Sequence, residues 1–423
     1  MPVTREELAR RLRAAREACG LRQEDVARHL GVSRPTVAQI EAGNRAVSSL
    51  ELDKLAYLYG RDIREFLADE FREEDALVAL FRRHPQVLDQ EDVQAVLRES
   101  IALGRELTNL ERILGIERDR AALPVYPLGP PPTRWDAVRQ GDRVAAEERR
   151  RLELGSAPLP EVVDLLETQG VRTAELPLPE DLSGLTLFDD EVGPFVVVNN
   201  LAPGHSWLRR RFSYAHEYCH VLLDRDQRAT ISRASEPESL LEVRANAFAA
   251  AFLMPRPGVE AFIQGLGKGQ ASRLEADIYD ENDAHRVKAR PEPGSQRIHM
   301  HDVVLLAHHF GVSRLAALYR LKNLGFLSQV ELDALRQQEA DGDGKALATL
   351  LDLPEPDSEA ARNQFRHRFL ALALEAFRRD AITRAKVREL AATVGVSRNE
   401  LNRFVTDDDL GQDDEGDAPR PEE

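Results

Sequence analysis

His216, Glu217 and His220 stand in the order H-E-x-x-H. On an α-helix, residues four apart are separated by about 40° around the axis and roughly 6 Å along it. Both imidazoles then leave one face and can bind a single tetrahedral ion. Zinc suits imidazole and keeps a position open for water. Glu217, one step from His216, is placed to act on that water as a general base. The apolar positions Phe212, Ala215, Val221 and Leu222 give such a helix a face to bury. Buried neutral imidazoles beside a carboxylate are costly unless an ion or hydrogen bonds compensate. The plain alternative is an ordinary helix with surface histidines.

A third protein ligand is needed. In the run SLLEVRANAFAAAFLMP, Glu242 is the only acid between Ser239 and Pro255, with Asn246 one turn on. Ala245, Ala247, Ala249, Ala250 and Ala251 would let this helix approach the first closely. The alternative for Glu242 is a solvated charge at a helix start, favoured by the dipole. A three-histidine site is disfavoured, because HEYCHVLLDRD lacks the H-x-x-G-x-x-H continuation. Cys219 faces about 100° from its neighbour His220 and reads as packing. For a group to stabilise an oxyanion, His205, Tyr214, His299 and His301 all stay open.

The elements that must hold these residues follow from the surrounding pattern. RRFSYAHEYCHVLLD and SLLEVRANAFAAAFLMP read as helices, as does DAVRQGDRVAAEERRRLELG before them. VRTAELPL, LTLFDD and PFVVVNN read as strands, the last of them buried. Residues 264–296 are polar and glycine-rich without periodicity and read as a mobile insertion. Residues 298–322 and 359–405 return to helix. LPVYPLGPPPT at 123–133 reads as a proline-rich linker.

The N-terminus carries a second constellation. In QEDVARHLG, Val26, Ala27 and Leu30 face inward and Gly31 ends the helix; in SRPTVAQIEAG, Ser33 is the N-cap and Pro35 lies in the first turn. Packing against Val37 and Ile40 leaves Arg34, Thr36 and Gln39 exposed. Arg and Gln can read guanine and adenine edges bidentately in the major groove. Residues 72–116 look helical with a break near His84-Pro85, and Leu103, Leu107, Leu110 and Leu114 form a short seam. That seam suits either packing on its own chain or a homodimer.

Two resemblances follow from these runs. LRQEDVARHLGVSRPTVAQIEAGNR with SSLELDKLAYLYG resembles the phage-repressor-like (XRE-type) helix-turn-helix family. This implies operator DNA as partner, with Gln23, Asn44 and Arg45 on phosphates and Ser33 at the start of the recognition helix. VVVNN, RRRFSYAHEYCHVLL, the E-x-x-A-N-x-F-A-A-x-x-L-M-P run at Glu242–Pro255 and VVLLAHHFGVSRLAALYRLKNLGFL together resemble the ImmA/IrrE metallopeptidases over residues 135–327. This implies a zincin-like fold, zinc on His216, His220 and Glu242, Glu217 as base, and a helix-turn-helix repressor or antitoxin as substrate. The chain departs from that family at Cys219, commonly glycine, and at Arg244, often Glu. VVLLAHHFGVSRLAALYR also mimics a helix-turn-helix and reads as peptidase core; TVGVSRNELNRF has a similar look and no assignment.

Composition sets outer limits. The net charge of −16 argues against coating nucleic acid along the whole chain. Residues 1–67 hold 12 Arg and Lys against 10 acids, whereas residues 406–423 hold nine acids against one Arg and read as a disordered acidic tail. No apolar run or signal-type core points to a membrane or to export, and two cysteines fit a reducing cytoplasm. The expected architecture is mainly α, with a small α+β zincin-like domain and an N-terminal five-helix lambda-repressor-like unit. The expected boundaries are 1–68 helix-turn-helix, 69–122 helical linker, 123–134 proline-rich linker, 135–330 peptidase, 331–405 helical region and 406–423 tail. The expected function is a DNA-binding regulator with a zinc endopeptidase acting in stress-response or mobile-element control. The rivals are a regulator whose zinc domain is a non-proteolytic sensor, and a protein that sequesters a partner.

Overall fold

In a computed structural model, residues 3–59, 63–69, 91–116, 123–189, 192–200, 206–233, 238–269, 274–279, 284–289, 294–353 and 364–397 are described, with Arg61, Phe71 and Leu401 besides. They form a mainly α chain with 17 helices and one small four-stranded mixed sheet among the described residues. Two compact units result: Met1–Gly104 with Arg118–Arg362, and Arg105–Glu117 with Asn363–Glu423.

The N-terminal helices are α1 (Arg5–Ala18), α2 (Gln23–Leu30), α3 (Arg34–Glu41), α4 (Ser49–Tyr59) and α5 (Ile63–Leu67). Thr4 caps α1, its hydroxyl accepting the Glu7 N–H at 3.2 Å. Gly31 takes φ +70 between α2 and α3, a conformation that favours glycine. Val26, Ala27 and Leu30 of α2 are buried, as are Val37 and Ile40 of α3.

Helix α6 (Glu91–Leu114) carries the leucine seam. Leu103, Leu107, Leu110 and Leu114 are all buried within the single chain. Packing on its own chain, one of the two readings of this seam, accounts for the burial of these leucines. The Arg98 guanidinium donates to the Leu58 carbonyl at 2.8 Å, tying α6 to α4. The break expected at His84-Pro85 lies outside the described residues.

Residues 123–133 have no regular secondary structure, but they are not a free tether. Leu123, Tyr126 and Leu128 pack against the main core, and the Tyr126 hydroxyl donates to Glu148 at 2.7 Å. Then come α7 (Arg134–Arg151) and α8 (Val162–Thr168), followed by β1 (Arg172–Leu176), β2 (Leu182–Asp189) and β3 (Gly193–Asn199). Next are α9 (Trp207–Leu223), a short 3-10 turn (Arg225–Gln227), β4 (Ala229–Arg233), α10 (Leu240–Leu253) and α11 (Arg256–Gly265). The sheet order is β1-β3-β2-β4; β1 runs parallel to β3, while β2 is antiparallel to both β3 and β4. Strand β4 was not anticipated, because ATISR is short and follows a helix closely.

Within residues 264–296, read as a mobile insertion, the described residues hold an antiparallel pair, β5 (Leu274–Tyr279) with β6 (Ala284–Ala289), which sequence reading missed. LEADIY does alternate, with Leu274, Ala276 and Ile278 against Glu275 and Asp277, a period-2 signal the sequence reading passed over; AHRVKA does not. The core is completed by α12 (Met300–Phe310), α13 (Arg314–Asn323), α14 (Gln329–Ala340) and α15 (Asp343–Leu350). Gly311 takes φ +63 between α12 and α13 and repeats the Gly31 turn, but Val303, Leu306, Phe310, Leu318 and Leu321 are buried in the main core. Leu332 and Leu335 of α14 belong to that core too, so the region 331–405 is divided. Its later helices, α16 (Gln364–Arg378) and α17 (Arg384–Thr393), form a small core of their own in the second unit.

Candidate metal centre and nucleic-acid interface

Helix α9 begins at Ser206, whose hydroxyl accepts the Arg209 N–H at 3.3 Å. From Tyr214 to Leu222 every residue of α9 is buried. Helix α10 packs beside it with Glu242 in its first turn. Against the far side of α10 lies α7, and Gly141 makes that approach feasible. A Cβ there would stand 2.5 Å from the Arg244 carbonyl oxygen and 2.7 Å from the Phe248 nitrogen.

Ligating atoms of His216, His220 and Glu242 lie within 4.8 Å of one another. His216 Nε2 is 3.1 Å from Glu242 Oε2, and His220 Nε2 is 3.4 Å from Oε1. The two Nε2 atoms are 3.3 Å apart. Each Nδ1 is engaged elsewhere: that of His216 with Asn246 Oδ1 at 3.0 Å, that of His220 with Asp224 Oδ2 at 2.8 Å. A proton on each Nδ1 satisfies these acceptors and leaves both Nε2 lone pairs for one ion. Asp224 in turn accepts from the Arg244 guanidinium at 2.5 Å.

The electrostatics of the cluster call for positive charge. Burial works against a charged Glu242, yet hydrogen bonds and charge from His216 and His220 hold its carboxyl well below the usual range. Burial also disfavours a charged His220, but Asp224, Glu242 and Glu217 outweigh it and raise that imidazole to about 10. Protons here balance carboxylates that a divalent cation could balance instead. The donor set, two imidazoles and one carboxylate, fits such an ion. Burial pushes the Cys219 thiol up, in keeping with a packing role.

Glu217, 1% exposed, is held from the sheet side. Thr186 Oγ1 donates to Glu217 Oε2 at 2.8 Å. Gly184 leaves the space the carboxylate fills: a Cβ there would be 2.6 Å from Oε1. Ser232 of β4 places its hydroxyl 3.2 Å from His216 Nε2. Sequence reading missed Gly184, Thr186, Ser232 and Asp224. Asp224 had a signal, since it stands four residues after His220; the strand residues had none.

Among the groups considered for an oxyanion, the Tyr214 hydroxyl is committed to the Ala174 carbonyl and Glu175. His299 and His301 stack on each other, and His301 lies beside Asp302. His205 lies outside the described residues.

At the N-terminus, Arg34 is 63% exposed on α3, with Gln39 and Asn44 also exposed. Thr36 is half-buried and shares a hydrogen bond with the Ser33 hydroxyl at 2.9 Å. Ser33 occupies the N-cap position, but its side chain serves Thr36 rather than a backbone N–H. The Gln23 amide donates to Glu41 at 2.9 Å, and Arg45 pairs with Glu51 at 2.8 Å. These two side chains are thus tied to their own domain.

Comparison with known families places two domains on the chain. Residues 7–68 match a helix-turn-helix domain, and residues 166–279 match an IrrE N-terminal-like domain. No curated protein matches the chain. Among the described residues no helix is long and apolar enough to cross a membrane.

Proposed function

Given a helix-turn-helix domain joined to an IrrE-like domain, we propose that the chain is a DNA-binding regulator with zinc-dependent endopeptidase activity. Its substrate would be a helix-turn-helix repressor or antitoxin, cut to release stress-response or mobile-element genes. The observation that carries this reading is the meeting of His216, His220 and Glu242 beside a pinned Glu217.

His216, His220 and Glu242 would hold zinc, which when bound polarises a peptide carbonyl and acidifies water. Glu217 takes a proton from the attacking water and returns it to the leaving amine. Thr186 fixes the carboxylate for that transfer. Asn246 and Asp224 orient the two imidazoles, and Arg244 holds Asp224. Arg34, Thr36 and Gln39 would face base edges, with Ser33 at the start of the recognition helix and Asn44 toward the phosphates; Gln23 and Arg45 would reach phosphates on leaving Glu41 and Glu51.

The test is co-incubation of the zinc-loaded protein with the helix-turn-helix proteins encoded beside it, read by intact mass. One of them should be cut, and Glu217→Gln should abolish cutting while retaining zinc. A Glu217→Gln variant that cuts at the wild-type rate sinks the mechanism. Operator binding without any proteolysis would favour a regulator whose metal domain senses rather than cuts.

A further inference from the structure

We propose that Ser232 is a catalytic residue of this site, its hydroxyl donating to the oxygen that gains negative charge when the peptide carbonyl is attacked. The inference rests on the peptidase reading above and assigns the stabilising group that reading lacks.

Ser232 lies on β4, one of the two edge strands, and pairs in register with Gly184 of β2. Gly184 faces Glu217, so its partner Ser232 faces the same helix. Two residues along, Thr186 pairs with Thr230. This face of the sheet thus presents Gly184, Thr186, Thr230 and Ser232 to α9, where a buried face would ordinarily be apolar. Thr186 serves Glu217. The Thr230 hydroxyl is buried without a hydrogen-bond partner among the described residues.

The hydroxyl of Ser232 is 3.2 Å from His216 Nε2, and the residue is 1% exposed. That nitrogen is its hydrogen-bond acceptor only while no ion is present. Once an ion takes the Nε2 lone pair, a buried O–H must find another acceptor or bear the cost of an unmade bond. In this proposal that acceptor is the carbonyl oxygen of the bound peptide. A donor held beside the developing charge stabilises it with no reorganisation during reaction.

The test uses the full chain and cobalt as the metal probe. Ser232→Ala should bind cobalt as wild type does, with kcat on the cleaved helix-turn-helix protein lowered about a hundredfold and KM little changed. Ser232→Thr, which keeps the hydroxyl, should restore most of the rate. Cobalt-loaded Ser232→Cys should show a thiolate-to-cobalt charge-transfer band, a readout independent of activity. Full cobalt loading of that variant without the band overturns the placement. An active wild type with an equally active Ser232→Ala, or a Ser232→Ala that loses cobalt, overturns the role. A wild type that binds cobalt and cuts nothing overturns the peptidase reading itself, and the charge-transfer band still reports whether position 232 reaches the ion.

Discussion

Gly184 and Glu217 are complementary in shape: the hydrogen side chain of one, on β2, leaves the volume that the carboxylate of the other, on α9, occupies. A Cβ at 184 would stand 2.6 Å from Glu217 Oε1 and 3.0 Å from Cδ. Gly184→Ala should therefore displace the carboxylate and lower kcat roughly 10- to 100-fold, since small misplacements of a catalytic group are costly. The added methyl should cost stability no more than about 1–3 kcal/mol. Cleavage rates alongside urea unfolding check both figures, and an unchanged kcat would remove Glu217 from its assigned geometry.

Asp224 connects His220 to Arg244 through hydrogen bonds of 2.8 and 2.5 Å. Asp224→Asn weakens the acceptor that fixes the imidazole and should lower metal affinity about 10- to 100-fold. Competition with a coloured chelator measures this. Affinity equal to wild type would show that the aspartate is structural only.

Glu175 offers a pH test away from the metal centre. Its carboxyl is pushed up to about 7 from an ordinary 4.5, chiefly by burial, with Arg210 at 2.8 Å opposing. Between those values the folded protein keeps a proton that the unfolded chain has released. Stability from this group is thus full below pH 4.5 and is lost as pH rises toward 7. Glu175→Gln removes that dependence, so relative to wild type the variant should gain up to about 3 kcal/mol as pH rises through the window. Denaturant melts at several pH values decide it; a constant offset between the two proteins would contradict the raised carboxyl.

Arg34 and Gln39 project from α3 into solvent. Substituting either by alanine should cost about 1–3 kcal/mol in binding to a specific operator while leaving non-specific binding nearly intact. Fluorescence anisotropy with operator and scrambled duplexes separates the two. Equal losses on both duplexes would assign these side chains to the backbone rather than the bases.

What local periodicity and spacing can carry was legible along the chain. The turn at Gly31, the buried Val26 and Ile40, the helix that bears His216 and His220, and the helix that bears Glu242 are all consequences of near-neighbour pattern. So are three of the four strands in the sheet. Tertiary structure alone decided what lies across from those helices. Gly184, Thr186 and Ser232 reach the histidines and Glu217 because β2 and β4 pair beneath α9, and no spacing along the chain encodes that approach. The leucines of α6 and the proline-rich run at 123–133 look alike in sequence whether they face solvent, a second copy or their own core. Burial is a property of the folded whole, and here it covers the leucines of α6 and packs Leu123, Tyr126 and Leu128 on the main core.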